Sequence, residues 1–476
     1  MIGRMRIFCA AAGLFVAVSF CQAQTKSGIS LSQGIMAGEV GEESVILQAR
    51  LTGGGADGLG GMAGVGRFEV SKSEDFEDVV RSEWLEARES CDHIVKACIK
   101  GLQRDTEYWY RLRFGADKSD VSVSEVGRFE TLGGADAAEP VSFAVVAGMN
   151  YNKFHSSERV SGEDKRLGYP GLEAIRSAGP DFFVGTGDNV YFDHPRKPAA
   201  KTLEEMRGKY HEQFSQERYK RLFREVPTYW EKDDHDFRYN DCDLTGDRLP
   251  SVEDGIYSFR EQLPVVCPGD EDAVTYRTYR VTKDLQIWLV EGRDYRSPND
   301  MEDGPGKTLW GAVQLEWLKD TLLASDATFK VLISPTPMIG PDDAYKKDNH
   351  CNTGGFRYER DEFFAWLSEN GFDSGNFAIV CGDRHWQYHS VDPSGFEEFS
   401  CGALVDANSR VGRLPGDKRS TDPEGEIEQP YCMTEPSGGF LLVSVLPSLN
   451  ETAVKLGFKF YDEKKNVLYE HCKVSQ

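Results

Sequence analysis

The sequence predicts two parts in succession, a small all-β sandwich domain and a larger α/β domain. Residues 28–132 form short alternating runs that Gly, Asp and Ser interrupt, which is typical of a β-sandwich of about 100 residues. Residues 139–476 instead carry apolar strands that alternate with helix-periodic segments. The small-residue stretch 133–138 separates the two patterns and is interpreted as a linker.

Residues 1–23 have the pattern of a cleavable export signal. Arg4 and Arg6 precede an apolar stretch, 7–20, that is too short to span a bilayer comfortably, and a small-residue cleavage site follows. We therefore expect a secreted or periplasmic protein with no transmembrane segment after cleavage. Lipoprotein anchoring at Cys21 is the weaker alternative, because Phe20 occupies a position where a small residue is favoured.

Four runs in the sandwich domain predict strands: 45–50, 67–70, 93–99 and 108–113. Residues 101–108 resemble the strand entry of fibronectin type III domains, which favours a fibronectin- or immunoglobulin-like sandwich. The glycine-rich stretch 53–66 is interpreted as a loop. Cys91 and Cys98 flank a predicted strand and would lie roughly 23 Å apart, whereas bridged Cα atoms lie within ~7 Å. We therefore expect these two cysteines not to pair.

Five apolar runs predict buried strands of the second domain: 143–147, 182–185, 286–290, 330–334 and 377–380. Three segments have the spacing of helices: 172–178, 203–223 and 312–323. Strands and helices in alternation predict a sheet covered by helices, with the chemistry in loops at the strand ends.

The charge balance restricts the class of partner. The 476 residues contain 55 Lys and Arg against 78 Asp and Glu, a formal net charge of −23 at pH 7. This balance argues against a nucleic-acid-binding surface, which neutralises phosphates with Lys and Arg. A mean hydropathy of −0.48 excludes an integral membrane protein. A small anionic substrate would need a local positive pocket, and nothing in the sequence sets an oligomeric state.

Three loops concentrate Asp and His side chains, and two of them directly follow predicted strands. The loops are residues 187–193, residues 232–236 with 240–241, and residues 381–386. Carboxylates and imidazoles that converge in this way are typical of a two-metal site, in which a bound water becomes a nucleophile near neutral pH. The sequence therefore predicts metal-assisted hydrolysis at the strand ends.

The sequence resembles the alkaline phosphatase D (PhoD-like) family of the metallophosphoesterase superfamily in three motifs, 187–191, 233–236 with 240–241, and 382–385. The N-terminal sandwich also matches that family, so the resemblance covers nearly all of the mature chain. It implies a metallophosphoesterase-like β-sandwich core flanked by helices. It also implies phosphate mono- and diesters as substrates, and Fe³⁺ with Ca²⁺ as the metal ions.

The resemblance implies six metal ligands: Asp188, Tyr191, Asp234, Asn240, Asp383 and His385. Asp188 would bridge two ions, and Tyr191 would bind Fe³⁺ as a phenolate. Asp234 and Asn240 would bind the second ion, with Asp233 as the alternative to Asp234.

One position departs from the family pattern. The family carries a Cys ligand just after the strand predicted at 143–147, whereas this chain has Gly148 and Met149 there. This departure leaves three alternatives. Asn150 or His350 would replace the cysteine as an iron ligand, or the chain would prefer Mn²⁺, Zn²⁺ or Ca²⁺, or the site would hold only one ion tightly. The departure bears on Fe³⁺ more than on hydrolysis, because the other ligands are present.

Two residues are predicted to be catalytic. His235 would protonate the leaving alkoxide as a general acid, with metal binding as its alternative role. Arg293 would stabilise charge on the phosphoryl group, with a surface ion pair as its alternative role. Four further residues are predicted to bind substrate: Asn189, Arg296, Lys347 and His350.

Together these features predict an exported, metal-dependent phosphoesterase that acts on small phosphate esters. A phospholipase D-like or other specialised diesterase is one alternative. A metal-binding relative that has lost catalysis is another, and the missing Cys motivates it.

Overall fold

The computed structural model describes residues 28–53, 58–447 and 453–475. The predicted export signal, residues 1–23, lies outside the described residues. The predicted fold class is confirmed: an all-β N-terminal region precedes an α/β region with large sheets and few helices. Within the described residues, each helix is too short or too polar to cross a lipid bilayer.

The N-terminal region forms two facing β-layers. Its strands are β1 Ile35–Gly38, β2 Ser44–Arg50, β3 Gly64–Ser71, β4 Val79–Arg81, β5 Leu85–Ala87, β6 Ile94–Lys100, β7 Glu107–Asp117, β8 Asp120–Val123 and β9 Gly127–Glu130. One layer has the order β4-β3-β7-β8, with β5 paired to β3 and β9 paired to β7. The other layer has the order β1-β2-β6. Alternating side chains from both layers bury Val45, Leu47, Phe68 and Tyr110 in one core.

The remaining strands build the two sheets of a second sandwich. They are β10 Val141–Val146, β11 Phe182–Thr186, β12 Thr228–Glu231, β13 Arg277–Arg280, β14 Leu285–Leu289, β15 Phe329–Ser334, β16 Phe377–Cys381, β17 Gln387–Val391, β18 Glu397–Cys401, β19 Glu428–Cys432, β20 Gly439–Leu446, β21 Lys455–Asp462 and β22 Val467–Val474. One sheet has the order β13-β14-β15-β16-β18-β17-β19. The other begins β22-β21-β20-β10-β11-β12. The inner faces of the two sheets share one apolar core.

The second sheet does not stop at β12. Strand β1 pairs with β12 in parallel, Gly38 opposite Thr228, so β1, β2 and β6 extend it to nine strands. Close packing at this junction requires glycine, because a Cβ on Gly38 would lie 2.5 Å from Cγ of Pro264. A buried ion pair adds to the junction, with the Arg277 Nε donating to Glu39 over 2.6 Å. The two regions therefore share a sheet and a core, although their sequence patterns differ.

Helices cover the outer faces of both sheets. They are α1 Tyr151–Ser156, α2 Gly162–Leu167, α3 Pro170–Ala178, α4 Leu203–Phe214, α5 Glu217–Glu225, α6 Val252–Gln262, α7 Ala312–Ala324 and α8 Arg357–Glu369. The sequence predicted one helix over 203–223, but the chain breaks it after Phe214. Gln216 adopts an extended conformation there, and its backbone carbonyl starts α5.

A disulfide joins the two regions. Cys98 of β6 is bonded to Cys267, in the loop after α6, with the Cα atoms 5.5 Å apart. Cys91 is an exposed free thiol, so the prediction that Cys91 and Cys98 do not pair is confirmed. The sequence alone did not indicate the partner of Cys98, because the two cysteines are 169 residues apart.

Candidate metal centre and active site

A cleft of about 460 Å³ lies where the three predicted loops meet. Strands β11, β12 and β16 end at its floor, and each belongs to a parallel set whose carboxyl ends face the same way. The cleft is lined by both charge types and includes six predicted ligands, namely Asp188, Tyr191, Asp234, Asn240, Asp383 and His385. The folding of the chain thus brings together predicted ligands that lie almost 200 residues apart in sequence.

Two of these carboxylates are held by strained backbone. Asp188 and Asp383 follow β11 and β16 with φ of +54° and +56°, a region that residues with a side chain seldom adopt. Gly187 precedes Asp188, and a Cβ on Gly187 would lie 2.4 Å from that of Asp233. Each such residue costs on the order of 1–3 kcal/mol, and such strain concentrates at functional sites.

Asp236 joins the first two loops. Its carboxylate accepts hydrogen bonds from the backbone N–H groups of Asp188, Asn189 and Asp233, at 3.2, 3.1 and 2.6 Å. The Asn189 side chain donates to the same carboxylate and to the carbonyl of Glu231. Asn189 therefore positions the loop, and it does not line the cleft as a substrate-binding residue was expected to do.

One half of the site centres on the Asp188 carboxylate. The Tyr191 hydroxyl donates to Asp188 Oδ2 over 2.7 Å, and His385 Nε2 lies 3.0 Å from the same oxygen. Asn408 donates to the Tyr191 hydroxyl over 2.8 Å. The other oxygen of Asp188 is buried without a hydrogen-bond partner. Burial raises the pKa of Asp188 and of Tyr191 well above their usual ranges, so both ionised forms need a cation beside them.

The other half centres on Asp234. One oxygen of Asp234 accepts the backbone N–H of Asp241 at 2.5 Å, and the other is buried without a partner. Burial acts to raise the pKa of Asp234, but the charges of His235 and Arg293 outweigh it and lower that pKa. Side-chain atoms of Asp188, Asp234 and His235 lie within 4.8 Å of one another, as do those of Asp234, Asp241 and Asp348. Both groups have the donor types of a metal site.

His235 is held by a carboxylate of its own. Its Nδ1 lies 2.6 Å from Asp193 Oδ1, and the second oxygen of Asp193 accepts the backbone N–H of Asn240. Burial acts to lower the pKa of His235, but Asp234, Asp188 and Asp193 outweigh it and raise that pKa to about 10. The arrangement fixes the ring through Nδ1, and His235 lines the cleft.

The cleft also has a rim of cationic side chains: Lys153, Arg196, Lys346, Arg384 and Arg410. Three of them pair with carboxylates: Lys346 with Asp241 at 2.7 Å, Arg384 with Asp383, and Arg410 with Asp343 at 3.3 Å. Burial removes part of the hydration of the Lys153 ammonium and so lowers the pKa of that group. The rim supplies the local positive charge that an anionic substrate needs on an acidic protein.

Besides Asn189, four predicted contacts with substrate lie outside the cleft. Arg293 is fully buried and donates to Asp233 over 2.9 Å and to the Cys242 carbonyl over 2.8 Å. Arg296 is also buried and donates to the Asp348 carbonyl. His350 is buried against Glu359, at 2.8 Å, and Lys347 is an exposed partner of Asp300. Asp233 is thus occupied by Arg293, and Asp234 is the one of the two that lines the cleft.

The family can be assigned from the sequence itself. The sequence profile of the PhoD-like phosphatase family matches residues 143–430, and that of its N-terminal domain matches residues 17–133. The first match alone covers more than half of the 476 residues. The chain belongs to the PhoD-like phosphatase family.

Similar proteins agree with this assignment. Alkaline phosphatase D of Bacillus subtilis (strain 168) is 25% identical over 447 residues, which cover 85% of this chain and 73% of the relative. A solved structure of PhoD superposes with a TM-score of 0.72 at 19% identity, covering 92% of this chain and 88% of the other. A purple acid phosphatase from yellow lupin (Lupinus luteus) has the same fold, with a TM-score of 0.62 at 11% identity. The match covers 93% of this chain and 74% of the other. This member of the PhoD-like family is therefore a metal-dependent phosphoric ester hydrolase.

Gly148 and Met149 occupy the position at which the family resemblance implied a cysteine ligand. Gly148 has a φ of +66°, and a Cβ there would lie 2.8 Å from that of Ala403. The neighbouring Met149 is fully buried under the Tyr219 hydroxyl. Asn150 caps α1 and lies 3.2 Å from His194, and His350 is outside the cleft. Among the described residues, no cysteine lines the cleft.

Several residues of the cleft in this PhoD-like enzyme were not predicted from the sequence. The residues that were not predicted are Lys153, His194, Arg196, Lys346, Asp348, Asn408 and Arg410, and Asp193, Asp241 and Arg384 were placed in the predicted loops without a role. His194 lies three residues after the predicted ligand Tyr191, and Asp241 follows Asn240 within the second motif, so both are close in sequence to predicted ligands. Asn408 and Arg410 lie between β18 and β19 in a stretch with no recognisable pattern, and only the fold brings them to the cleft.

Proposed function

We propose that this chain is an exported phosphoesterase that hydrolyses small phosphate mono- and diesters in the cleft described above. One observation carries the proposal: buried oxygens of Asp188 and Asp234 have no hydrogen-bond partner and lie in a cleft with a cationic rim. Buried carboxylates without partners are costly unless a cation pairs with them. The cationic rim suits the phosphate of a substrate.

Asp188, Tyr191 and His385 are proposed to hold one metal ion, and Asp234 and Asn240 the other, with Asp188 shared and Asp383 completing the site. This set of carboxylates, phenol, amide and imidazole suits hard cations such as Ca²⁺, Mn²⁺ and Fe³⁺. Loss of the cysteine favours oxygen-binding ions over softer ones. When bound, such ions supply an activated water and offset charge on the phosphoryl group.

His235 is proposed to donate a proton to the leaving oxygen. Asp193 holds its Nδ1, so that Nε2 is the nitrogen presented to a substrate. Lys153 and Arg410 are proposed to bind the non-bridging phosphate oxygens, because both line the cleft. The guanidinium of Arg410 lies over the Trp386 ring, and its contact to the Asp343 carboxylate is 3.3 Å long. Arg293 then acts as a positioning residue, because it holds Asp233 behind the ligand Asp234.

The direct test is metal removal followed by reconstitution. We expect chelation to abolish hydrolysis of p-nitrophenyl phosphate and bis(p-nitrophenyl) phosphate, and addition of Ca²⁺ with Fe³⁺ or Mn²⁺ to restore it. Metal analysis of the active protein should give two or more ions per chain. Full activity in the metal-free protein would overturn the proposal. Bound metal without turnover on any phosphoester would identify a non-catalytic relative, and activity on phospholipids alone would identify a specialised diesterase.

Replacing His235 tests its role as proton donor. We expect His235→Gln to lower kcat for alkyl phosphates by about 10²–10⁴-fold, whereas p-nitrophenyl esters, whose leaving group needs no proton, should lose much less. Steady-state kinetics on both classes of ester measure this difference. The matched control is His211→Gln, because His211 also forms a hydrogen bond with an aspartate, Asp92, but lies outside the cleft. Equal losses on both classes together with loss of metal would make His235 a ligand instead.

Export is supported by the disulfide between Cys98 and Cys267, because the cytosol keeps thiols reduced. We expect the double variant Cys98→Ser/Cys267→Ser to lower the free energy of unfolding by about 2–4 kcal/mol, measured by urea denaturation. Cys91→Ser, at an exposed free thiol, should have little effect.

Protein isolated from the culture medium or periplasm should also show two fewer reactive thiols before reduction than after. Equal thiol counts would contradict the disulfide and remove the support that it gives to export.

A further inference from the structure

A second cluster of potential metal-binding side chains lies outside the cleft. His389 of β17, Glu397 of β18 and His471 of β22 place their ligand atoms within 4.8 Å of one another. Strands β17 and β18 belong to the seven-stranded sheet, whereas β22 is the edge strand of the nine-stranded sheet. None of these residues lines the cleft, and the proposed hydrolysis does not use them.

The two imidazoles converge on one carboxylate oxygen. His389 Nε2 lies 2.9 Å from Glu397 Oε2, and His471 Nε2 lies 3.2 Å from the same atom. In a tetrahedral zinc site with bonds of about 2.0 Å, neighbouring ligand atoms are about 3.3 Å apart. The separations in the cluster are close to that spacing, so a small outward shift of the side chains would admit the ion.

The surroundings have the features of a metal site as well. The Nδ1 of His389 lies 3.1 Å from the Tyr469 hydroxyl, a contact that fixes the ring as the outer partner of a metal-binding histidine does. His389 is buried against the Phe399 ring, whereas the side chain of His471 is 29% exposed and leaves room for a water ligand. Tyr469, His471 and Lys473 alternate along β22 and therefore share one face of that strand.

We propose that His389, Glu397 and His471 form a zinc site that fastens the C-terminal strand β22 to the β17–β18 hairpin. Two imidazoles and one carboxylate are a donor set that Zn²⁺ prefers. Lys473 contacts the other oxygen of Glu397, over 2.9 Å, and so does not occupy the oxygen that faces the imidazoles. This role is structural and does not depend on the proposed function.

The test uses the full chain with its resident metals, titrated with Zn²⁺ and, separately, with Co²⁺. We expect the wild type to bind one equivalent of Zn²⁺ more than His471→Gln, and its Tm to rise by several degrees with Zn²⁺ while that of the variant does not. Co²⁺ should give the visible absorption of a tetrahedral nitrogen and oxygen site in the wild type alone. Hydrolysis by His471→Gln should stay within about twofold of the wild type.

Two further variants test whether the cluster of His389, Glu397 and His471 binds metal or is held together by ion pairs alone. Glu470→Gln, at the exposed neighbour of His471, should bind Zn²⁺ as the wild type does. Lys473→Met should bind Zn²⁺ at least as tightly, because a competing cation is removed from Glu397. Equal Zn²⁺ binding by the wild type and His471→Gln would overturn the proposal. So would a Lys473→Met variant that is destabilised and gives no response to Zn²⁺.

Discussion

Asp188→Asn is expected to lower kcat/KM for phosphate esters by about 10³-fold or more and to lower the bound metal content. The shared carboxylate would contribute several kcal/mol of electrostatic stabilisation, and each 1.36 kcal/mol corresponds to a factor of ten in rate. Asn is the suitable replacement because it keeps the volume and tolerates the positive φ of +54° at this position. The measurement combines steady-state kinetics with metal analysis of the purified variant.

The matched control is Asp105→Asn. Asp105 also has a positive φ, of +48°, but it is exposed on the N-terminal region and away from the cleft. This variant should keep full activity and its complement of metal. Wild-type activity in Asp188→Asn would refute the assignment of the centre, and a fall in activity with unchanged metal would restrict Asp188 to positioning the substrate.

Arg293→Met is expected to lower the free energy of unfolding by about 3–5 kcal/mol. The guanidinium and the Asp233 carboxylate are both fully buried, and removal of one partner leaves an uncompensated charge in the interior. Urea denaturation of the metal-loaded protein measures the change. Activity should fall as well, because Asp233 adjoins Asp234 and a displaced loop would misplace that ligand.

Two controls distinguish this role from direct contact with a substrate. The double variant Arg293→Met/Asp233→Leu removes both charges and should recover much of the lost stability. Lys347→Met, which removes an exposed lysine, should leave stability nearly unchanged. An Arg293→Met variant of wild-type stability with a raised KM would instead favour the substrate contact that the sequence suggested.

Much of the site could be predicted from the sequence because its ligands sit in short motifs after strands. Asp188 and His385 lie in loops that follow predicted strands, where α/β folds carry their chemistry. Asp234 follows β12, which was not predicted, and its role came from the family resemblance. The arginines were misplaced for a physical reason. Arg293 and Arg296 follow a strand, as a phosphate-binding pair would, but burial pairs them with Asp233 and the Asp348 carbonyl. Sequence spacing does not reveal whether a guanidinium contacts a bound phosphate or a buried oxygen of the protein itself.

The division of the chain into two regions could be predicted from the sequence, but the sheet that runs through both regions could not. Composition changes sharply at residues 133–138, whereas the pairing of β1 with β12 leaves no trace in either segment. Four-residue strands such as β12 also fall below what periodicity can detect. Contacts between distant segments of this kind depend on the assembled core.

The pairing of β1 with β12 has a consequence for the order in which this polypeptide can fold. The Thr228 hydroxyl reaches the Ala37 carbonyl across 191 residues, and the Tyr229 hydroxyl reaches that of Val40 across 189. A chain that emerges N-terminus first must keep the edge of β1 unpaired until nearly half of its length has followed. The first hundred residues therefore cannot complete their hydrogen bonding as an early, self-sufficient unit, and closure of so large a loop makes late folding intrinsic to the topology.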